Sequence, residues 1–134
     1  MPISDSYIIQ YLLQETRDGG PSVVWREAGS EEYTTSIRDM RIELQSVHSR
    51  AGARLYLSIV CARGRIHIEE PPNIGFFRKR YRSESQRYLA EMMEELARSV
   101  GRQCDKRRRE LSAGAEDIRQ TVYRRLIGVS PTGG

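Results

Sequence analysis

The sequence is poor in the residues that most often carry catalysis or bind metal ions. Its 134 residues include two histidines, two cysteines and one tryptophan. Cys61 and Cys104 form no CxxC pair, and together with His48 and His67 they give no zinc-binding spacing. No phosphate-binding or hydrolase signature of the GxxxxGK[ST], HExxH or GxSxG type occurs. We therefore expect no cofactor, no metal site and no enzyme activity.

Long apolar runs and targeting signals are also missing. No stretch approaches the roughly 20 apolar residues that a membrane span needs. The N-terminus lacks the basic and apolar regions of a secretory signal. The sequence therefore predicts an intracellular protein without a membrane partner, cytoplasmic, or nuclear if the host is a eukaryote or its virus. Both cysteines are then expected to be buried free thiols of a reducing compartment.

Lysine is scarce, and the positive charge is unevenly distributed. Only Lys79 and Lys106 are lysines among 22 basic residues, and the formal net charge is +4. Residues 1–70 hold 8 basic and 10 acidic groups (−2), whereas residues 71–134 hold 14 basic and 8 acidic groups (+6). Guanidinium groups fork onto phosphates better than ammonium groups do. The asymmetry indicates an anionic partner, although codon bias in a GC-rich or overlapping reading frame also enriches arginine.

The pattern of apolar residues predicts a single α+β domain over residues 1–134, with flexible tails at about residues 1–3 and 129–134. Ser4 or Asp5 can cap a first helix, which ends at residues 18–21. Five strand-like segments follow, and their tight turns predict an antiparallel meander. These segments cover residues 22–26, 32–37, 40–45, 55–61 and 66–68.

The second half predicts a long amphipathic helix and a short C-terminal helix, both packed on one face of the sheet. Ser83 and Gln86 lie at the start of the long helix, where the spacing of the sequence fits a capping box. A break at residues 111–114 is expected to separate the two helices. The long helix places six apolar residues on one face: Leu89, Met92, Met93, Leu96, Val100 and Cys104.

The sharpest local feature is an aromatic and basic run between the sheet and the long helix. Phe76 and Phe77 precede the candidate nucleic-acid-binding residues Arg78, Lys79, Arg80, Tyr81 and Arg82. The cations can neutralise phosphates while Phe77 or Tyr81 stacks on a base. The alternative is a solvated linker in which both phenylalanines turn inward and anchor the long helix to the sheet.

A second basic surface is predicted on the long helix, opposite its apolar face. A stripe of this kind can follow a phosphate backbone, although pairs with glutamates four residues away account for part of it. The acidic partners become fewer after Glu95, so residues 106–109 are the strongest candidates. The stripe comprises Arg98, Arg102, Lys106 and Arg109. The tetrad of residues 106–109 adds Arg107, which falls in line with the apolar face, and Arg108.

The favoured hypothesis is a non-catalytic nucleic-acid-binding module that recognises the phosphate backbone. RNA is preferred over DNA and duplex RNA is slightly favoured, as in a viral or bacterial accessory or regulatory protein. The organisation of a small sheet with a long basic helix is similar to that of viral suppressors of RNA silencing, which clamp duplex RNA by its backbone. No residue string is shared with them.

Three further expectations stay open beside that hypothesis. The chain can instead be a protein-interaction module, an adaptor or inhibitor whose arginine-rich surface binds an acidic protein. Asp39 and Glu43 on a strand also suggest a small metal-dependent nuclease. Finally, Met92 and Met93 suit an adaptable interface, so a homodimer through the long helix is predicted.

Overall fold

A computed structural model describes residues 3–17, 23–50 and 52–128 of the chain. Backbone contacts divide the chain into two compact units, Met1–Gln103 and Cys104–Gly134. The predicted α+β class, with an N-terminal helix, five antiparallel strands and a long C-terminal helix, is confirmed. In chain order the elements are helix α1 (Asp5–Thr16), strands β1 (Arg26–Gly29), β2 (Glu32–Ile37), β3 (Met40–Ser49), β4 (Gly52–Cys61) and β5 (Gly64–Glu69), and helix α2 (Glu84–Leu126).

Two predictions concern chain segments that lie largely outside the described residues. The expected stop of the first helix at residues 18–21 is one, and the tails at about residues 1–3 and 129–134 are the other. A single domain over residues 1–134 stays a prediction. The start of α1 is described, and Ser4 takes the extended N-cap conformation without a side-chain hydrogen bond.

The sheet is a meander in which each strand pairs antiparallel with the next, in the order β1-β2-β3-β4-β5. Side chains alternate between its two faces, so every second residue of a strand enters the core. Leu44, Leu57 and Ile68 are direct cross-strand neighbours and all are buried. The opposite face is polar, and it carries Tyr56 beside His67 with ring centroids 5.7 Å apart.

The first strand starts later than predicted, because residues 23–25 make their backbone hydrogen bonds with a side chain. The Gln103 side chain accepts a hydrogen bond from the Trp25 backbone N–H at 2.7 Å and donates one to the Val23 carbonyl at 3.0 Å. Residues 23–25 of the segment predicted at residues 22–26 therefore lie outside the sheet, with Val23 and Trp25 buried and Val24 exposed, and Arg26 begins β1. Ser22 lies outside the described residues. Trp25 is fully buried, and its indole N–H donates to Thr16 Oγ1 at 3.0 Å.

Helix α2 begins as predicted but does not break where a break was expected. The Gln86 backbone N–H donates to Ser83 Oγ at 3.2 Å, a side-chain cap. The helix then continues through residues 111–114 to Leu126, so the predicted short C-terminal helix is not confirmed. One glycine without a proline costs a helix only about 1 kcal/mol, and Gly114 lies between Ala113 and Ala115, which favour helix strongly.

The predicted apolar face of α2 is confirmed, and it changes the basis of the dimer prediction. Met92 and Met93 are buried in the core of their own chain, as are Leu96 and Val100. These methionines are therefore not available to a second copy. A homodimer stays a prediction without that support. The prediction for the cysteines was right for Cys104, which is buried, and wrong for Cys61, which is exposed. In α2, every residue after Cys104 is exposed.

Candidate nucleic-acid interface

The aromatic and basic run forms a closed loop between β5 and α2, which we call the Phe–Arg loop (residues 74–82). The Ile74 backbone N–H donates to the Arg80 carbonyl at 2.8 Å. The Asn73 side-chain oxygen accepts hydrogen bonds from the backbone N–H groups of Gly75 at 2.9 Å and Arg80 at 2.8 Å. One amide side chain therefore holds both ends of the loop together.

Gly75 allows the chain to close so tightly. A Cβ atom at this position would lie 1.7 Å from the carbonyl oxygen of Arg78, far inside any tolerated contact. The obstacle is backbone, so it cannot move aside as a flexible side chain would. Any other residue at position 75 would force the loop into a different conformation.

Lys79 attaches the loop to α2. Its ammonium donates to both carboxylate oxygens of Glu94, at 3.2 and 3.1 Å. The hydrogen bond with Glu94 and the negative charge of Glu94 raise the pKa of Lys79. The Lys79 side chain is exposed, but its ammonium is paired with Glu94 and links the loop to α2. Its predicted contact with phosphate stays a prediction.

Phe76 and Phe77 lie at the tip of the loop and are 92% and 93% exposed. Their rings meet edge to face, with centroids 4.8 Å apart and planes at 86°. The alternative in which both phenylalanines turn inward as an anchor was therefore wrong. Large apolar side chains that remain almost wholly in water next to each other usually mark a binding surface.

Three arginines follow the two phenylalanines in sequence. Arg78, Arg80 and Arg82 are exposed, and none of them forms an ion pair with another described residue. Their guanidinium groups are thus free to accept an external anion in a forked geometry. Tyr81 differs from them, because it is half-buried and its burial raises the pKa of the Tyr81 phenol. Of the predicted stacking residues, Phe77 is accessible and Tyr81 is largely not.

A buried carboxylate that the sequence interpretation missed lies beside the loop. Glu70 is 7% exposed, and its Oε1 accepts a hydrogen bond from the Leu55 backbone N–H at 3.2 Å. Burial raises the pKa of Glu70 to about 7, and the hydrogen bond and negative charge of Glu94 act in the same direction. The sequence did indicate that Glu70 is buried, because Glu70 continues the alternation in which Ile66 and Ile68 face the core.

This carboxylate belongs to a polar cavity of about 420 Å³ under the loop, which Glu70, Lys79, Tyr81 and Glu94 line together with Asn73. The residues that hold the loop and the residues that line the cavity are thus largely the same.

The predicted stripe on α2 is partly neutralised by ion pairs. Arg98 contacts Glu95 at 2.7 Å and Arg102 contacts the other oxygen of Glu95 at 3.4 Å. The hydrogen bond from Arg98, with that from Arg102, lowers the pKa of Glu95. Arg98 and Arg102 thus pair with Glu95 on the exposed surface, and their contact with phosphate stays a prediction.

The predicted tetrad at residues 106–109 lies in the unit Cys104–Gly134 and is exposed. Arg108 contacts Asp105 at 3.4 Å, and Arg109 donates from Nε to the Asp105 carbonyl at 3.4 Å. The Phe–Arg loop lies in the other unit, Met1–Gln103. The tetrad as a phosphate-binding surface stays a prediction.

The described residues offer little for metal chemistry. Nowhere in residues 3–17, 23–50 and 52–128 do three or more His, Cys, Asp or Glu side chains form a group that could hold a metal ion. Glu43, the proposed nuclease carboxylate, contacts Arg41 at 3.1 Å. Within the same ranges, no helix has the length and apolar character to cross a membrane.

Comparison with known proteins adds no further constraint. The chain matches no protein-family model, no curated protein and no solved structure. Its function therefore has to be inferred from the chemistry of the described residues.

Proposed function

We propose that this chain is a non-catalytic nucleic-acid-binding module that contacts unpaired nucleotides through the Phe–Arg loop. The observation that carries the proposal is the exposure of Phe76 and Phe77, 92% and 93%, on a loop that also presents Arg78, Arg80 and Arg82 without ion-pair partners among the described residues.

The two residue types have complementary roles. Arginine neutralises phosphates and releases condensed counterions, which makes binding depend strongly on salt. Exposed aromatic rings stack on bases, and each stacked base contributes about 1–3 kcal/mol. The closed loop supports both roles, since Asn73, Gly75 and Lys79 fix the backbone before any ligand arrives and reduce the entropy lost on binding.

The phenylalanines favour unpaired over paired nucleotides. In a duplex the base faces are covered by their neighbours, whereas single strands and loops expose them. The earlier preference for duplex RNA rested on the basic surface alone and stays a prediction. It is separated from the present proposal by comparing single-stranded and duplex ligands of the same length.

The first test removes the three loop arginines. We expect Arg78→Gln, Arg80→Gln and Arg82→Gln together to lower the slope of log affinity against log salt by about 2, because each phosphate contact on a single strand contributes about 0.7. Fluorescence anisotropy of a labelled single-stranded RNA, titrated at several salt concentrations, measures this slope. The matched control replaces Arg26, Arg63 and Arg65, which are also exposed, and removes the same charge.

Two outcomes would overturn the proposal. The control triple could reduce the slope as much as the loop triple does, which would mean that only net charge matters. The wild-type chain could bind no RNA or DNA at about 50 mM salt, where electrostatic binding is strong. Binding to an acidic protein or to anionic vesicles instead would assign the loop to another class of partner.

A further inference from the structure

A second surface, which shares no residue with the Phe–Arg loop, consists of an open apolar cavity of about 550 Å³ in the unit Met1–Gln103. One wall is α1, which contributes Tyr7. The floor is the inner face of the sheet, where Ile42, Ile59 and Ile66 are cross-strand neighbours on β3, β4 and β5. Arg38, in the turn between β2 and β3, lies at its border. We call this cavity the trough.

The most exposed residue of the trough's sheet lining lies on an edge strand. Ile42 and Ile59 are 1% and 7% exposed, whereas Ile66 on the edge strand β5 is 45% exposed. On the opposite wall, Tyr7 and Tyr11 are exposed and lie one helical turn apart. Apolar and aromatic side chains thus line a concave surface of the volume that small-molecule sites usually have.

The described lining of the trough carries a single charge. Among the described residues that line it, Arg38 is the only charged one. Arg38 forms no ion pair with another described residue. A guanidinium at the border of an otherwise apolar cavity is complementary to a ligand with an apolar body and one anionic group, and it binds a carboxylate in a forked geometry.

We infer that the trough binds a free medium-chain carboxylate, with its apolar chain between the exposed side chains of Tyr7, Tyr11 and Ile66 and its carboxylate at Arg38. The buried Ile42 and Ile59 form the floor beneath the chain. Strands β3 and β5 are two inter-strand steps of about 4.8 Å apart, so a medium-length acyl chain can extend from Ile66 to the turn that holds Arg38. Burial of the chain supplies the affinity, and Arg38 selects the charged head group. This inference does not rest on nucleic-acid binding.

Isothermal titration calorimetry with dodecanoate, below its micelle concentration, tests the inference on the full chain. We expect saturable one-to-one binding with a negative heat-capacity change, because apolar surface is buried. Arg38→Gln should weaken dodecanoate at least tenfold but leave the uncharged dodecanol unchanged. Ile66→Ser, a substitution at the half-exposed end, should weaken both ligands.

The matched control is Arg65→Gln, which removes an exposed arginine next to Ile66 on the other face of β5. It should leave dodecanoate binding unchanged. The absence of saturable binding, or an equal loss for Arg38→Gln and Arg65→Gln, would overturn the inference. A dimer in sedimentation that Ile66→Ser dissociates would assign the trough to a second copy of the chain and would overturn it as well.

Discussion

Replacing Phe76 and Phe77 by alanine is expected to weaken the binding of an unpaired oligonucleotide by a factor of about 30 or more. Each ring that stacks on a base contributes about 1–3 kcal/mol, and two rings therefore contribute at least about 2 kcal/mol. Both side chains are more than nine-tenths exposed, so their removal should not change the free energy of unfolding. Fluorescence anisotropy measures the first quantity and urea denaturation the second.

The substitution also separates stacking from electrostatics. No charge is removed, so the slope of log affinity against log salt should stay that of the wild type. Replacing both phenylalanines by tryptophan should restore most of the affinity, since tryptophan also stacks. A control with alanine at Tyr88 and Tyr123, two exposed aromatic residues of α2, should bind normally. Equal affinity of the wild type and the double-alanine variant would exclude stacking as the source of binding.

The stability of the wild-type chain is expected to fall as the pH rises from about 4.5 to about 7. The pKa of Glu70 is near 7 in the folded chain and 4.5 as its ordinary value. Between these two pH values the folded state holds a proton that the unfolded state has released. The free energy of unfolding therefore decreases as the pH rises to about 7, and above that pH the Glu70 contribution is constant. The decrease is at most about 3 kcal/mol, since one pKa unit corresponds to about 1.4 kcal/mol.

Glu70→Gln is expected to remove most of this dependence of stability on pH. Glutamine stays neutral, keeps an oxygen for the Leu55 backbone N–H and can donate to Glu94. The variant should be the more stable protein at pH 8 and should have lost most of the pH dependence, as measured by urea denaturation at pH 5 and pH 8. Glu69→Gln, at the neighbouring exposed position, is the control and should resemble the wild type. A wild-type stability that does not change between the two pH values would contradict the buried, protonated Glu70.

The sheet and the core-facing side of α2 could be predicted because both follow from local periodicity. Alternation with a period of two identifies the inner residues of β3 and β4, and the apolar stripe from Leu89 to Val100 follows the helical period. Other features of the fold depend on contacts between residues that are distant in sequence, and local patterns could not predict these features. Gln103 supplies the hydrogen bonds that a strand partner would give to the backbone of Val23 and Trp25, so a strand-like segment remains outside the sheet.

In the Phe–Arg loop, the sequence indicates which residue types are present but not which of them are free. Lys79 and Arg80 are adjacent cations of the same run, yet only Lys79 reaches a carboxylate, Glu94, fifteen positions later. The outward direction of the phenylalanines depends on the closure of the loop by Asn73 and Gly75. Such contacts depend on the folded backbone, and no periodic pattern predicts them.

The most direct measurement is photo-crosslinking of the full chain to an iodouridine-substituted single-stranded RNA. Trypsin digestion and mass spectrometry then identify the peptide that contacts the bases. Trypsin cleaves after Arg65 and Arg78, so Phe76 and Phe77 fall in one peptide, residues 66–78. We expect this peptide to carry the principal crosslink, and Phe76→Ala with Phe77→Ala to remove it. Crosslinks confined to peptides of residues 103–128, or unchanged in the double-alanine variant, would contradict binding through the Phe–Arg loop.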